Sequence, residues 1–445
     1  MRVHDPTAKK YFLLSIVFLA LWLMGLPGNG EAQDKFLKIG ILGPMQFIAG
    51  EHQYWGAQLS AEEINNAGGV RVGNERYKIE LVKKDSNELR SVVDAVSAME
   101  KIITQDKCKF IMGTFRTEAT LAQQEVMADH KVILIGIGSA HPKQTMRVAE
   151  NYDRYKYYFR VQPNNSAYQV ELVFHTINKT ATAVREALGV AQPKVALLVE
   201  KAAWTEPMIA IAKDKLPKMG MEIIGTWQPS PLATDCTAEL SAIKSAGAHM
   251  IFSISSGPVG AVYSRQWGEL QIPTTLGGIS VEALQKSQWK ATGGMCEYET
   301  AMGFHGLVAI SDKSIPFYNK FSERFGQFPS FSVGNDAIYV LKEAIERAGT
   351  LNTDSVVAAL EKTDYVGTIG RITFHDRDHK FPHDLVWAPG YVTGLGLQWQ
   401  DGKLAVIWPD GRASLGEERW KGVKYGGTAE YKLPPRFLKY WKDKK

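Results

Sequence analysis

The chain has 445 residues, of which 45% are hydrophobic and 22% are charged, with a formal net charge of +5. The composition is typical of a globular protein, and the length is sufficient for two or three domains. The excess charge lies at the two ends, because residues 1–32 hold three basic and two acidic residues and residues 436–445 hold five basic and one acidic. The body between them is neutral and has no basic stripe, which argues against nucleic-acid binding.

The N-terminus has the layout of a secretory signal. Basic residues Arg2, Lys9 and Lys10 precede an uncharged apolar run at 11–26, and the small-residue sequence Gly-Glu-Ala follows at 30–32. We expect export and cleavage after residue 32, with an uncleaved N-terminal anchor as the alternative. No cysteine lies near this point, so a lipoprotein anchor is not expected.

Three cysteines, Cys108, Cys236 and Cys296, are too few and too scattered for a disulfide scaffold or a zinc site. At least one of them is unpaired within the chain. Cys236 and Cys296 could pair in an oxidising compartment, but the sequence does not determine whether their geometry permits it.

From Phe36 the chain alternates short apolar runs with amphipathic stretches, which is typical of βα units and parallel sheets. In the first unit a strand at 37–42 and a glycine-bounded loop at 43–50 precede a helix at 51–67. A second helix is expected at 92–103. Further strands are predicted at Tyr77–Lys83, Phe110–Met112, Val132–Ile137, Val195–Val199, Glu222–Trp227, Met250–Ile254 and Thr275–Gly277.

Two halves are visible along the chain. The first βα series ends near residues 154–161, and the second runs to about Met302. A helical stretch at 315–349 precedes a return to extended segments, which are predicted at Arg371–Phe374, at Trp387–Leu397 and as a hairpin at Leu397–Ile407. An α/β chain in two halves predicts a ligand cleft between them.

An ordered set of short motifs, none of them specific alone, spans roughly Phe36 to Pro409. The motifs are KIGILGP at 38–44, GAQL at 56–59, EINNAGGV at 63–70, FIMG at 110–113, YFRV at 158–161, DCTAEL at 235–240, QWQDGK at 398–403 and WP at 408–409. In order and spacing, this set resembles the leucine/isoleucine/valine-type periplasmic binding proteins of ABC importers.

The resemblance implies an α/β fold of two Rossmann-like lobes with parallel sheets, joined by three crossovers and closing on a ligand, the type I periplasmic binding protein fold. Lobe 1 is expected to comprise 33–160 and 305–365, and lobe 2 to comprise 161–304 and 366–412. A basic tail remains at 413–445. Its end from Arg436 is expected to be solvated and frayed, with contact to anionic lipid as the alternative.

The function implied by the resemblance is capture of a small polar or carboxylated solute, such as an amino acid, an aromatic or organic acid, or an amide. The expected partners are the permease subunits of an ABC importer in the inner membrane, and the expected state is a periplasmic monomer without cofactor or catalytic activity. Two alternatives remain, a periplasmic ligand-sensing partner of a separate receptor and a secreted metal-dependent hydrolase.

Ligands in such sheets bind at the loops that follow the C-terminal ends of parallel strands. Residues of these loops are the predicted solute-binding residues: Phe47, Phe115, Arg116, Thr117, Gly138, Ser139, Ala140, Trp204, Ser256 and Ile279. We expect Arg116 to pair with a solute carboxylate, and a surface ion pair with Glu118 is the alternative.

Several of these residues have a second interpretation. In the family the loop after Gly113 supplies a hydroxyl to the ligand carboxylate, and Thr117 matches that position but could serve only as a helix cap. The next family hydroxyl falls on Ala140, a departure for which Ser139 could substitute. Trp204 matches a cleft aromatic, although lobe packing would also explain it.

Ile279 departs from the family in a way that bears on the solute. Amino-acid binders carry an acidic partner for the ligand ammonium in the loop that we predict at 277–280, where this chain has Ile279. A buried ammonium without a carboxylate is costly, so a plain α-amino acid is less expected than an uncharged or carboxylate-bearing solute.

One cluster resembles metal-binding material: His375, Asp376, Asp378, His379, His383 and Asp384. Two histidines spaced i, i+4 act together only on a helix, and Pro382 breaks any helix there. We therefore expect a turn between strands, and we predict neither a metal ligand set nor a catalytic triad.

Overall fold

The structure is a computed structural model that describes residues 35–444. The strands are β1 Lys35–Gly43, β2 Val70–Val72, β3 Glu75–Asp85, β4 Phe110–Gly113, β5 Ile133–Gly136, β6 Tyr158–Arg160, β7 Lys194–Val199, β8 Glu222–Trp227, β9 Met250–Ser255, β10 Thr275–Ser280, β11 Thr300–Gly303, β12 Tyr365–Gly367, β13 Gly370–Ile372, β14 Leu395–Gln400 and β15 Lys403–Trp408. The α-helices are α1 Ile48–Asn66, α2 Val92–Thr104, α3 Thr117–His130, α4 Lys143–Glu150, α5 Tyr152–Tyr155, α6 Ser166–Leu188, α7 Glu206–Lys218, α8 Thr237–Ser245, α9 Val259–Glu269, α10 Lys286–Ala291, α11 Ser314–Phe325, α12 Asn335–Ala348, α13 Thr353–Leu360 and α14 Pro435–Lys442.

Two sheets organise the chain. The first has the order β2-β3-β1-β4-β5-β6, and the second has the order β15-β14-β11-β10-β9-β7-β8. Strands β1, β4, β5 and β6 run parallel, as do β7 to β11, whereas β14 and β15 are antiparallel additions to the second sheet. The fold is therefore two α/β lobes with parallel central strands.

The chain passes between the two lobes three times. It leaves the first sheet after β6 for β7, and it leaves the second sheet after β11. Helices α11 and α12 then pack on α1 of the first lobe before the chain returns to β14. The first and third connecting segments contact each other, since the N–H of Arg160 donates to the carbonyl of His383 at 3.0 Å. Hinge motion about these segments stays a prediction.

Two predicted segments take a different form in the structure. The predicted loop at 277–280 is wrong, because β10 continues to Ser280 and pairs with Ser255 of β9. Gly278 permits this close packing, since it has φ +156° and a Cβ there would lie 2.0 Å from the carbonyl oxygen of Ser253. The predicted strand at 387–397 is also wrong in its first part, where a bridge from Trp387 to Val392 closes a tight loop and β14 begins only at 395.

The C-terminal segment is packed rather than frayed, so that expectation is wrong. Phe437 of α14 is fully buried, and the Arg436 guanidinium lies 3.6 Å from the centre of the Trp267 ring. Trp441, one helical turn after Phe437, donates from Nε1 to the carbonyl of Pro273 at 2.7 Å. The apolar pair spaced i, i+4 fixes the helix to lobe 2, while Lys439, Lys442 and Lys444 remain exposed.

The three cysteines are free and buried, so the pairing of Cys236 with Cys296 does not occur. Burial raises the pKa of both thiols to about 12. In residues 35–444, no helix has the length and apolarity needed to cross a membrane. The predicted export signal and its cleavage point lie outside the described residues.

A buried ion pair joins two of the crossing segments. Arg160, at the end of β6, donates from Nη1 to Oδ2 of Asp384 at 2.5 Å, and both side chains are completely buried. The same oxygen of Asp384 accepts from Thr145 and from Asn165, each at 3.0 Å. Since Asn165 caps α6, the first helix after the crossing, this pair ties lobe 1 to both connections.

We predict that Asp384→Ala lowers the free energy of unfolding by ~3–5 kcal/mol, because Arg160 is then left buried without its counter-charge. The matched control is Asp364→Ala, which breaks a half-exposed ion pair with Arg371 at 2.6 Å and should cost about 0–1 kcal/mol. Urea unfolding followed by circular dichroism measures both variants. Equal losses of unfolding free energy in the two variants would show that the buried ion pair contributes no more to stability than the exposed one.

Candidate functional site

The loop after β4 contains three of the predicted solute-binding residues. It begins with Gly113, whose φ is +151° and where a Cβ would lie 1.9 Å from the carbonyl oxygen of Leu42, so only glycine fits. Phe115, Arg116 and Thr117 follow, each partly exposed. The loop thus reaches the sheet edge where parallel α/β sheets bind ligands.

The helix α3 starts in this loop without a side-chain cap. Arg116 is its N-cap residue and Thr117 is its first helical residue, so the interpretation of Thr117 as a cap is wrong. Among residues 35–444 the Thr117 hydroxyl has no hydrogen-bond partner, which leaves it available to a solute.

A buried carboxylate holds the loop from behind. Glu88 is completely buried, and its Oε2 accepts the backbone N–H groups of Phe115 at 2.9 Å and Arg116 at 2.7 Å. Its Oε1 accepts from the hydroxyl of Ser86 at 2.8 Å. Burial raises the pKa of Glu88 to about 7, although these hydrogen bonds favour the charged form. Two backbone donors of the loop are therefore already occupied by the protein itself.

Only some of the hydrogen-bond donors of the Arg116 side chain have partners. Its Nε donates to Glu118 at 3.1 Å and its Nη1 donates to the carbonyl oxygen of Glu88 at 3.3 Å, with 33% of the side chain exposed. The ion pair that we considered as the alternative is therefore present. Within residues 35–444 its Nη2 has no partner, so the end of the guanidinium can still receive a carboxylate.

The loop after β5 lies beside the first. Gly138 packs against it, because a Cβ at this position would lie 2.2 Å from the carbonyl oxygen of Thr114. Ser139 is buried and its hydroxyl contacts the side-chain amide of Gln144. The carbonyl of Ala140 accepts the N–H of Ser166 at 2.7 Å, which ties this loop to the start of α6.

In lobe 2, Glu200 joins two predicted residues that follow different strands. Its Oε1 accepts from Trp204 Nε1 at 2.8 Å and from the Ser256 hydroxyl at 2.7 Å, and its Oε2 accepts the N–H of Gly257 at 3.0 Å. Glu200 is only 2% exposed. Because it lies directly after β7, this carboxylate is positioned at the same sheet edge as the loops that it holds.

The two remaining predicted residues differ in environment. Ile279 is buried in the hydrophobic core as part of β10, so it does not lie in a loop as expected. Phe47 precedes α1 and is 38% exposed, which makes it one of the few large apolar side chains at the surface.

Four residues of the metal-like cluster, His375, His379, His383 and Asp384, have other partners. A bridge from Phe374 to Leu385 closes a turn around them, as expected from the sequence. His383 contacts the carbonyl oxygen of Tyr158 and the Glu361 carboxylate, each at 3.0 Å. No group of three or more potential metal ligands occurs in the part of the chain that the structure describes.

Comparison with known proteins identifies the family. The model of the periplasmic binding protein family matches residues 37–389. The chain belongs to this family.

Relatives along nearly the whole length agree. The Leu/Ile/Val-binding protein homolog 3 of Brucella melitensis is 24% identical over 397 residues, which cover 85% of this chain and 96% of the relative. The substrate-binding protein LivJ of Streptococcus pneumoniae, solved with isoleucine, has a TM-score of 0.68 and 21% identity over 84% of this chain and 99% of that one. A solute-binding protein of an ABC transporter from Rhodopseudomonas palustris, solved with 3,4-dihydroxybenzoic acid, has a TM-score of 0.65 and 20% identity over 83% and 95%.

Membership in this family makes the chain a solute-binding protein and not an enzyme. In periplasmic binding proteins of this fold, solutes are held between two lobes rather than chemically transformed. The metal-dependent hydrolase that the histidine cluster suggested is therefore not supported.

Sequence reasoning missed three side chains that organise the site of this periplasmic binding protein: Glu88, Gln144 and Glu200. Glu200 had a visible signal, since it is an acidic residue directly after the apolar run of β7, at the end of a parallel strand. The sequence contains no comparable signal for Glu88 or Gln144. Their partners are backbone N–H groups and buried polar atoms that come near them only in the folded chain.

We predict that Glu88→Gln makes the ligand-free protein more stable relative to the wild type as the pH rises from about 4.5 to about 7. Folding raises the pKa of Glu88, so its ionisation opposes folding across this window, and glutamine removes that penalty. The relative gain should be on the order of 3 kcal/mol across the window and constant above about pH 8. Urea unfolding at a series of pH values measures it, and a difference that does not change with pH would contradict the assignment.

Proposed function

We propose that this protein is the solute receptor of an ABC importer and that it binds a small carboxylate-bearing solute between its lobes by hinge closure. The observation that carries the proposal is the distribution of polar groups over the two halves of the site. Lobe 1 offers hydrogen-bond donors, and lobe 2 offers acceptors.

The donor side is the loop after β4. Within residues 35–444, Arg116 retains an unpartnered Nη2 and Thr117 an unpartnered hydroxyl, at the N-terminus of α3. A guanidinium matches a carboxylate with two parallel hydrogen bonds, and the helix dipole adds to the attraction. An acidic group on the solute is the partner that both features favour.

The acceptor side is centred on Glu200. Its carboxylate uses the proton of the Ser256 hydroxyl and the only N–H of the Trp204 side chain. What Ser256 can still offer a solute is therefore the lone pair of its oxygen. A hydroxyl or ammonium group on the solute would satisfy this side of the cleft.

These requirements retain both amino acids and hydroxylated aromatic acids as candidates. The absence of an acidic residue at Ile279 argued against an amino acid, but Glu200 leaves the oxygen of Ser256 in the same lobe as an acceptor for an ammonium group. The related proteins with isoleucine and with 3,4-dihydroxybenzoic acid support the proposal, since both ligands combine a carboxylate with hydrogen-bond donors.

The cellular setting follows from the family and from the N-terminal sequence. Family members are periplasmic, and residues 1–32 have the layout of an export signal. We therefore propose that the mature chain acts in the periplasm as a monomer and delivers its solute to permease subunits in the inner membrane.

A screen by thermal shift tests the function directly. We expect an amino acid, an aromatic acid or a short organic acid to stabilise the mature protein, by about 2.7 kcal/mol at 100 times its Kd. Small-angle scattering with the saturating ligand should then show a smaller radius of gyration, because the lobes rotate about the three crossings. Stabilisation by uncharged amides alone would exclude a carboxylate-bearing solute, and an unchanged radius of gyration would exclude closure.

We predict that Arg116→Ala weakens binding of the carboxylate found in this screen by at least tenfold, since a hydrogen bond to a charged group contributes about 1.5–3 kcal/mol. Arg116→Lys should recover only part of the loss, because lysine keeps the charge without the two-pronged geometry. Glu118→Gln is the matched control, and it should bind as tightly as the wild type or more tightly, because it frees the guanidinium. Calorimetry that finds Arg116→Ala within about threefold of the wild type would place Arg116 outside the site.

A further inference from the structure

The hydroxyl of Ser139 has one hydrogen-bond partner in residues 35–444, the side-chain amide of Gln144. Ser139 is 1% exposed, so its second hydrogen-bonding capacity is not met by bulk water. Leaving the second hydrogen-bonding capacity of a buried hydroxyl unmet is unfavourable. Whether the unmet capacity is a donor or an acceptor depends on which end of the Gln144 amide faces Ser139.

Arg160 determines the orientation of that amide. Its Nη2 lies 2.7 Å from Gln144 Oε1, and a guanidinium can only donate hydrogen bonds. The amide oxygen of Gln144 must therefore face Arg160, and the hydroxyl of Tyr158 donates to the same oxygen at 3.0 Å. The amide nitrogen must then face Ser139.

An amide nitrogen can only donate, so Ser139 Oγ is the acceptor of this hydrogen bond. The proton of the Ser139 hydroxyl consequently remains free. The chain of hydrogen bonds begins at Asp384, which accepts from the guanidinium of Arg160. The hydrogen bonds therefore run without ambiguity from the ion pair to the predicted solute-binding hydroxyl.

We propose that Gln144, oriented by Arg160, is a positioning residue for solute specificity, and that it makes Ser139 a hydrogen-bond donor to an acceptor atom of the solute. The inference rests on the proposed function and deepens it. The group that meets Ser139 is a carboxylate or carbonyl oxygen, whereas Glu200 makes Ser256 of the other lobe an acceptor.

The test is a double-mutant cycle of Gln144→Glu and Ser139→Ala, with benzoate and isoleucine as probes and calorimetry as the measurement. A glutamate at 144 keeps its contact with Arg160 but presents a second acceptor to Ser139, which must then donate its proton to the protein. We expect Gln144→Glu and Ser139→Ala each to raise the Kd of the probe that binds by about tenfold, or ~1.4 kcal/mol. In the Ser139→Ala background, Gln144→Glu should change the Kd by less than threefold.

Gln124→Glu is the matched control for the added negative charge. Gln124 donates to the carbonyl oxygen of Gln144 at 2.9 Å and does not contact Ser139. We expect this variant to bind the probe within about threefold of the wild type. Equal weakening by Gln144→Glu with and without Ser139, or a comparable effect of Gln124→Glu, would overturn the proposal in favour of simple charge repulsion.

A second measurement requires no solute. Neutron diffraction from a deuterated crystal of the ligand-free protein should show deuterium on the Gln144 nitrogen directed at Ser139, and the Ser139 deuterium directed elsewhere. A Ser139 deuterium directed at Gln144 would overturn the proposal. If neither probe binds the wild type, the proposed solute class is wrong. The neutron result still decides whether Ser139 donates to Gln144 or accepts from it.

Discussion

The complete burial of Arg160 is the constraint on which the arrangement of the hinge depends. A guanidinium can leave water only where acceptors surround it, and here they are the Asp384 carboxylate, the Gln144 amide oxygen and the His141 carbonyl. Asp384 lies 224 residues away along the chain, on a different crossing between the lobes. The first and third crossings therefore cannot separate without leaving a buried charge unpaired, so the lobe movement that we propose would pivot near this point.

In each lobe, one buried carboxylate accepts hydrogen bonds from a loop at the candidate site. Without that carboxylate, these loop donors would have no partner. In lobe 1, Glu88 accepts two N–H groups of the loop after β4, and in lobe 2 Glu200 accepts an N–H and two side-chain donors from loops after β7 and β9. Backbone donors at such sheet edges would otherwise attract any anion. With these donors occupied internally, the selection of an anion that we propose would rest on side chains, above all on Arg116 and Thr117.

Much of the fold was predictable from local pattern, and the failures share a cause. Buried parallel strands such as β7 and β9 are mostly apolar runs, so their positions could be predicted within one or two residues. The helix α14 was missed because the lysines of its sequence outweighed Phe437 and Trp441, whose value depends on a surface of lobe 2 that the sequence does not display. The extension of β10 was missed because glycine usually ends a strand, while here Gly278 is what allows the strand to continue beside β9.

The sequence indicates a candidate site residue only where its position after a strand is sufficient to suggest a role. It cannot do so where the role depends on contacts with a distant segment. The loop after β4 could be chosen because ligands bind at loops after parallel strands, whereas Thr117 within it was chosen from the resemblance to the family. The roles of Arg116 and Thr117 stay predictions. The polarity of Ser139 and Ser256 could not be predicted, because a hydroxyl both donates and accepts, and its partner decides which capacity remains. Those partners, Gln144 and Glu200, are themselves fixed by contacts between separate segments.

Partial exposure of Arg116 bears on how an acidic solute would gain its affinity. In the present conformation its guanidinium shares its donors between Glu118, the Glu88 carbonyl and water, and an ion pair in that setting contributes little. Closure of the lobes over a solute would exclude the water, and the same charges would then interact in a medium of lower dielectric constant. Glu118 would remain outside, near the solvent, while the solute carboxylate would be enclosed. In the proposed binding mode, the attraction that favours an acid would be weak at first encounter and strong only after closure. Recognition of the solute would then be coupled to the lobe movement that a permease would detect.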